Sequence, residues 1–218
     1  VDYELLKFEL AKKKIYPVFQ NRYNKAVKRL KKAVERKELG TPRIISVRVR
    51  WCRPQRYYEL SDWRGTYSHD GGALTNQGIH HLDLIRYLFG EVKTLYSNMR
   101  TLGADIEVED TVIANLNFVN KSLGTLEITT AARPKDFEAS ISVVGSKGMA
   151  QIGGIAVNEL QIFSPNPKEC KIFSEKIPDA YGFGHYDFYK DIALDFFKKR
   201  RFPISYLDCF NSIRLLNA

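Results

Sequence analysis

The sequence predicts an α+β domain: a broad, mostly antiparallel sheet with helices on one face, preceded by the end of an α/β unit. Three observations carry this. From Val92 to Ile152 strand-like segments follow one another across short connections such as Asn120-Lys121 and Gly145-Ser146-Lys147-Gly148, and short links between consecutive strands imply antiparallel pairing. Helical periodicity is confined to the first ninety or so residues and to the end of the chain. The opening, Val1 to Lys14, reads as the tail of a helix followed by an apolar strand-like run, Ile15 to Phe19, which is how a helix-strand unit ends. With 44% hydrophobic and 12% aromatic residues over 218 positions, the chain has enough apolar material for a core of this size.

Taken in order, Asn21 to Leu39 places Tyr23, Ala26, Val27, Leu30 and Val34 at helical spacing, and Gly40 and Pro42 supply the stop. Ile44 to Trp51 alternates Ile45, Val47, Val49 and Trp51 with Ser46, Arg48 and Arg50, the period of a half-exposed strand. A loop, Cys52 to Asp70, leads into a helix from about Thr75 to Phe89. Strands are expected over Val92 to Arg100, Asp110 to Val119, Ser122 to Ala132, Ala139 to Val144 and Met149 to Ile152. Ala156 to Phe163 and Cys170 to Lys176 extend the sheet, and helices close the chain at Tyr186 to Lys199 and Asp208 to Leu216.

Charge narrows the partners. A net +9 and a pI near 9.4 suit anions, but Lys25, Lys28, Arg29, Lys31, Lys32 and Arg36 read as the solvated side of an amphipathic helix. That helix lacks interleaved exposed aromatics, which argues against nucleic acid. Cys52, Cys170 and Cys209 are odd in number, widely spaced and without a C-x-x-C pair, so they suggest neither a disulfide framework nor zinc, and fit a reducing cytoplasm. No apolar run approaches the roughly 18 residues of a membrane span, and Val1 to Lys14 is not signal-like.

The most informative stretch runs from Gly71-Gly72 through Asn76, His80 and His81 to Asp83. At about 100° per residue, Asn76, His80, Asp83 and Tyr87 share one stripe, opposite Leu82, Ile85 and Phe89. The sequence thus predicts a polar face carrying an amide, an imidazole and a carboxylate. His81 turns toward the apolar side and reads as structural, and His69 reads as a loop residue.

This block resembles the C-terminal domain of the Gfo/Idh/MocA oxidoreductase family, where paired glycines precede Asp-x-x-x-His and a further Asp; here Asn76 replaces the first acid. Gln20-Asn21-Arg22-Tyr23-Asn24, Trp63-Arg64-Gly65 and Gly184-His185-Tyr186 match further motifs in order. The wording Asn-Gln-Gly-Ile-His-His looks most like the branch that oxidises the 3-hydroxyl of UDP-N-acetylglucosaminuronic acid in lipopolysaccharide sugar biosynthesis. The resemblance implies a remnant of a Rossmann domain over 1–20 and a substrate-binding and oligomerisation domain over 21–218. It also implies a homo-oligomer formed through the open sheet face. NAD or NADP would be bound mainly by a preceding Rossmann domain, because this chain holds neither the Gly-rich fingerprint nor the Glu-Lys-Pro motif of the family. The alternative is a non-catalytic sugar-binding or assembly module of the same fold.

Oxidation of a secondary alcohol needs the hydroxyl proton removed as hydride leaves. The resemblance and an ordinary histidine pKa near about 6.5 give His80 the acid/base role and Asn76 a hydrogen bond to a sugar hydroxyl. Asp83, one turn on, either fixes the imidazole tautomer or bonds neighbouring backbone. Arg22, Arg53, Arg56 and Arg64 are candidates to grip an anionic substrate, Arg64 first among them. Tyr57, Tyr58 and Trp63 are candidates to line a sugar or uracil ring. His185 is either a site residue or a helix-capping one. His80, Asp83 and His185 form no dedicated ligand pair, so no metal is expected.

Overall fold

The computed structural model describes Ala11 and residues 14–218; the helix expected from Val1 to Lys14 lies largely outside the described residues. The described residues form seven strands: β1 (Pro42–Arg50), β2 (Val92–Arg100), β3 (Thr111–Phe118), β4 (Leu123–Thr129), β5 (Glu138–Gly145), β6 (Met149–Gly153) and β7 (Glu159–Phe163). They make one sheet in the order β2-β3-β4-β1-β5-β6-β7. Every neighbouring pair is antiparallel except β1 and β4, which run parallel with Val47 opposite Leu126. That parallel pair requires a crossover, and the loop and helix between β1 and β2 provide it. The α+β architecture with a mostly antiparallel sheet is as the sequence predicts.

Period-two alternation decides which face is covered. Along β3, Val112, Ala114, Leu116 and Phe118 are buried while Ile113 and its outward companions meet solvent. Against the inner face lie α1 (Lys25–Glu35), α2 (Ile79–Phe89) and their shared core of Leu30, Leu84, Ile85, Val47 and Ile128. A second core of Phe19, Tyr23, Phe188, Phe202 and Ile204 joins the start of the chain to α3 (Gly184–Phe196). The last helix, α4 (Tyr206–Leu216), packs on α2 and opens with a capping box in which Ser205 and Asp208 bond each other's backbone amides.

Four expectations are corrected. Ile15 to Phe19 is not in a strand, because no neighbouring strand among the described residues offers it a ladder. The helix from Asn21 is interrupted: Gln20–Tyr23 forms a tight 3-10 turn, and extended Asn24 (ψ 137°) donates its side-chain amide to the Ala156 carbonyl at 2.8 Å before α1 begins. Cys170 to Lys176 does not extend the sheet; Glu169–Ile172 makes a helical turn. The β7 edge is met there by side chains, with the Leu160 amide donating to the Ser174 hydroxyl at 2.9 Å. Arg29 is not solvated: it is buried between Glu38 (2.6 Å) and Glu169, over the Phe163 ring at 4.3 Å. The other cations named on α1 do lie toward solvent or half-buried. No helix among the described residues is long and apolar enough to cross a membrane.

Candidate functional site

Gly71 adopts a left-handed turn (φ 67°), and its ideal Cβ would fall 2.7 Å from the Thr75 side chain, which makes glycine the residue that admits this turn. The chain then enters α2 through a π-helical turn, Leu74–Gly78, wider than an α turn. Gly78 brings the helix hard against β4: a Cβ there would meet the Ile128 terminal methyl at 2.5 Å.

The predicted polar stripe does not survive this geometry. Asn76 lies in the π turn, and its side-chain amide donates to the Asp70 carboxylate. Asp83 is fully buried, as is most of α2, because sheet, α1 and α4 cover it from several sides. Polar groups on such a helix must find partners inside the protein. Arg22 donates Nε and Nη2 to the two Asp83 oxygens at 2.7 and 2.5 Å, and its guanidinium sits 4.4 Å from the Tyr87 ring centroid. The Ser212 hydroxyl donates to Asp83 at 3.3 Å, and Asp208 lies 3.3 Å from Arg22. Burial pushes the Asp83 carboxyl up while Arg22 works against that push. Two expectations therefore change: Asp83 is engaged with Arg22 instead of orienting His80, and Arg22 commits Nε and Nη2 to Asp83, which leaves only Nη1 without a partner among the described residues.

His80 stands differently. Its ring meets Phe19 edge-on with centroids 6.3 Å apart, and its Nδ1 is enclosed without a hydrogen-bond partner. Burial first, and the charge of His185 second, bring its pKa down to about 4, so the imidazole is neutral at pH 7. Gly184 packs so closely on the Gln20 carbonyl that a Cβ would lie 2.4 Å away. That contact sets His185, at the head of α3, within electrostatic reach of His80. His81 is wholly buried, set edge-on to Trp51 with centroids 5.9 Å apart, and held down to about 3 by burial. Both of its ring nitrogens lack a well-formed hydrogen bond. It lies in the core, on the apolar side that its offset around the helix implied.

These two imidazoles predict acid sensitivity. Their folded pKa values lie below the ordinary value, so the unfolded chain binds more protons as pH falls below about 6.5. Stability should hold above that pH and decline toward pH 4, by about 3 kcal/mol for His80 alone at 1.36 kcal/mol per unit. Urea unfolding between pH 7.5 and 4.5 checks this; a flat profile would contradict it.

From His81 a run of stacked groups leads outward. Arg53 lies over Trp51 (5.5 Å) and Tyr57 (5.3 Å), and Arg64 lies over Tyr57 (4.3 Å) and Trp63 (4.7 Å). Arg64 also donates to the Tyr57 hydroxyl, leaving its buried Nε unpartnered. Arg53 is paired with Asp136 at 2.9 Å, Arg56 is exposed, and Tyr58 is bonded to Thr130. The structure thus gathers Tyr57, Trp63 and Arg64 into one cluster and His80 with His185 into another, and sends Arg22 elsewhere. Sequence reasoning did not single out Gln20, whose buried side-chain oxygen has no partner. Its place beside Asn21-Arg22 in the matched motif was the available signal. No cluster of three metal-ligating side chains occurs among the described residues.

The site helix thus bears a histidine with an unpartnered Nδ1, is entered through a glycine turn and lies on a sheet whose other face is exposed. The chain belongs to the GFO/IDH/MocA family: residues 27–151, more than half of it, match the GFO/IDH/MocA C-terminal domain. Its structure is similar to the WlbA dehydrogenase of Chromobacterium violaceum, solved with NADH and UDP-GlcNAcA, at a TM-score of 0.86 and 36% identity, covering 98% of this chain and 61% of that one. The WlbA dehydrogenase of Bordetella pertussis, also solved with NADH and UDP-GlcNAcA, gives 0.86 and 34%, covering 92% and 59%. Among curated proteins, myo-inositol 2-dehydrogenase of Thermotoga maritima is 28% identical over 166 residues, 72% of this chain and 43% of that protein. The chain spans less than half the length of the curated relatives it matches.

Proposed function

We propose that this chain is the substrate-binding half of an NAD(P)-dependent dehydrogenase that oxidises a secondary hydroxyl of a sugar or nucleotide-sugar. The 3-hydroxyl of UDP-N-acetylglucosaminuronic acid, in lipopolysaccharide sugar biosynthesis, is the favoured target. The observation that carries this is His80: a neutral imidazole with an unpartnered nitrogen, in a motif shared with the family. The similarity to two dehydrogenases solved with UDP-GlcNAcA supports the choice of substrate.

The described residues contain no βα unit with a glycine-rich turn to cradle a dinucleotide, so we place the bulk of cofactor binding in a preceding domain of the full-length protein. Bound there, the nicotinamide would accept hydride from the carbinol carbon. His80 accepts the hydroxyl proton as that hydride departs, leaving a ketone. Asn76, whose amide bonds Asp70 here, and His185 are assigned to orienting the sugar. Arg64, with its spare Nε, and the Tyr57 and Trp63 rings are assigned to the anionic and planar parts of the substrate. Cytoplasmic placement fits the cysteine usage.

Two expected results follow. This chain alone should bind NADH weakly or not at all by calorimetry, and micromolar affinity would contradict the division of labour. The full-length protein should reduce NAD(P) with UDP-N-acetylglucosaminuronic acid or a related sugar. Saturable sugar binding with no reduction of either cofactor would favour the non-catalytic module instead.

The bare sheet face is assigned to a second copy of the chain. Leu123, Ile44, Val144 and Met149 stand side by side across four adjacent strands, each 44% exposed or more. Such a row is an association surface in want of a cover. Ile44→Lys should shift sedimentation toward the monomer, and an unchanged profile would contradict the assignment.

A further inference from the structure

A cavity of about 460 Å³, which His80 does not line, is bounded by α1, the end of α2, α3 and the Arg200–Ile204 segment. Its volume is within the range of small-molecule sites. Four cations line it, Arg22, Lys28, Lys190 and Arg200, against two carboxylates, Asp187 and Asp191. Those acids are already engaged: Asp187 accepts from Lys28 at 3.0 Å, and Asp191 accepts from the Tyr23 hydroxyl at 3.0 Å and from Arg200.

Three donors on the lining residues are unused. Arg22 is 7% exposed and spends Nε and Nη2 on Asp83 and Asp208, so its Nη1 has no hydrogen-bond partner among the described residues. Lys190 has no ion-pair partner, and the Tyr87 hydroxyl no hydrogen bond, among the described residues. Nη1 is not enclosed, so it is open to an acceptor that enters the cavity. Fork, ammonium and phenol together offer donors from several directions, which suits a tetrahedral oxyanion better than a planar carboxylate. With Arg22 paired to Asp83, Lys28 to Asp187 and Arg200 to Asp191, Lys190 is the lining cation left without an ion-pair partner among the described residues, which favours an anionic ligand.

We propose that this cavity binds a phosphate group carried on a small molecule, with the phosphate held between Arg22 Nη1, Lys190 and the Tyr87 hydroxyl. The cavity exceeds the size of the phosphate alone, so the remainder of the ligand lies along Leu194, Pro203 and Ile204. This site is separate from the Arg64 cluster and does not depend on the reaction assigned above.

The test is calorimetric titration of the protein with inorganic phosphate at fixed ionic strength, with chloride as the control anion. Saturable binding of one phosphate per chain is expected, weakened about tenfold or more by Lys190→Glu, since a hydrogen bond to a charged group is worth about that much. Lys190 lies on the surface, so the variant should keep the wild-type unfolding midpoint. Arg64→Ala should leave this binding unchanged. Absence of saturable phosphate binding, or binding that survives Lys190→Glu but is lost in Arg64→Ala, would overturn the proposal.

Discussion

Replacing Asp83 by alanine is expected to destabilise the fold by about 3–5 kcal/mol, the usual loss when one partner of a buried ion pair is removed. Arg22 and Asp83 have side chains only 7% and 1% exposed, and they meet in a two-point contact. Without the carboxylate, a guanidinium stays buried against Tyr87 and Phe19 with little to replace the lost bonds. Arg22→Ala should cost a similar amount by leaving Asp83 charged and buried. The double replacement Arg22→Met with Asp83→Leu removes both charges together and should recover much of the loss, since well-packed apolar pairs of similar volume often match a buried ion pair in stability. Denaturant unfolding at pH 7 reads all four proteins. Single-variant losses below about 1 kcal/mol would mean that the pair does not pin α2 to the start of the chain.

The second large effect belongs to His80. In the full-length enzyme, His80→Ala should lower kcat by about 10²- to 10⁴-fold, the usual loss of a general acid/base, while KM for the sugar changes far less. The reason is that the imidazole acts on a proton that moves only as the reaction proceeds. His81→Ala should behave oppositely, losing stability through a cavity beside Trp51 while a folded fraction keeps its turnover. Thermal unfolding measured beside the kinetics separates a damaged core from a damaged site. Wild-type turnover in His80→Ala together with abolished turnover in folded His81→Ala would mean that the reactive face of the helix lies at His81.

Much of the sheet was legible because it rests on local rules. Ile45, Val47 and Val49 alternate with outward polar residues, and Asn120-Lys121 and Gly145 to Gly148 set tight turns, so strands and their antiparallel neighbours follow from nearby residues. The parallel β1–β4 pair was not legible, since it joins strands distant in the chain. Cys170 to Lys176 has strand-like composition, but it lies beyond the sheet edge, where Ser174 meets β7 by its side chain. In the site, the burial of His81 could be read from its helical offset, whereas the role of His80 rests on the motif alone. Asp83, Arg22 and Arg29 could not, because a charge reads as solvated until tertiary packing supplies its partner: Asp83 has its counter-ion 61 residues away, and Arg29 has one of its two 140 residues away. The π turn that withdraws Asn76 from the stripe ends at Gly78, where the helix meets Ile128 of a strand 50 residues on.

The central claim is that this domain presents a secondary carbinol for hydride removal while His80 takes the hydroxyl proton. It is tested most directly by supplying the full-length enzyme with UDP-N-acetylglucosaminuronic acid deuterated at C3 and examining the reduced cofactor by mass spectrometry. Deuterium is expected in the nicotinamide ring of the product, formed at a strongly reduced rate by folded His80→Asn. Reduced cofactor without deuterium, or a His80→Asn enzyme as fast as the wild type, would contradict it.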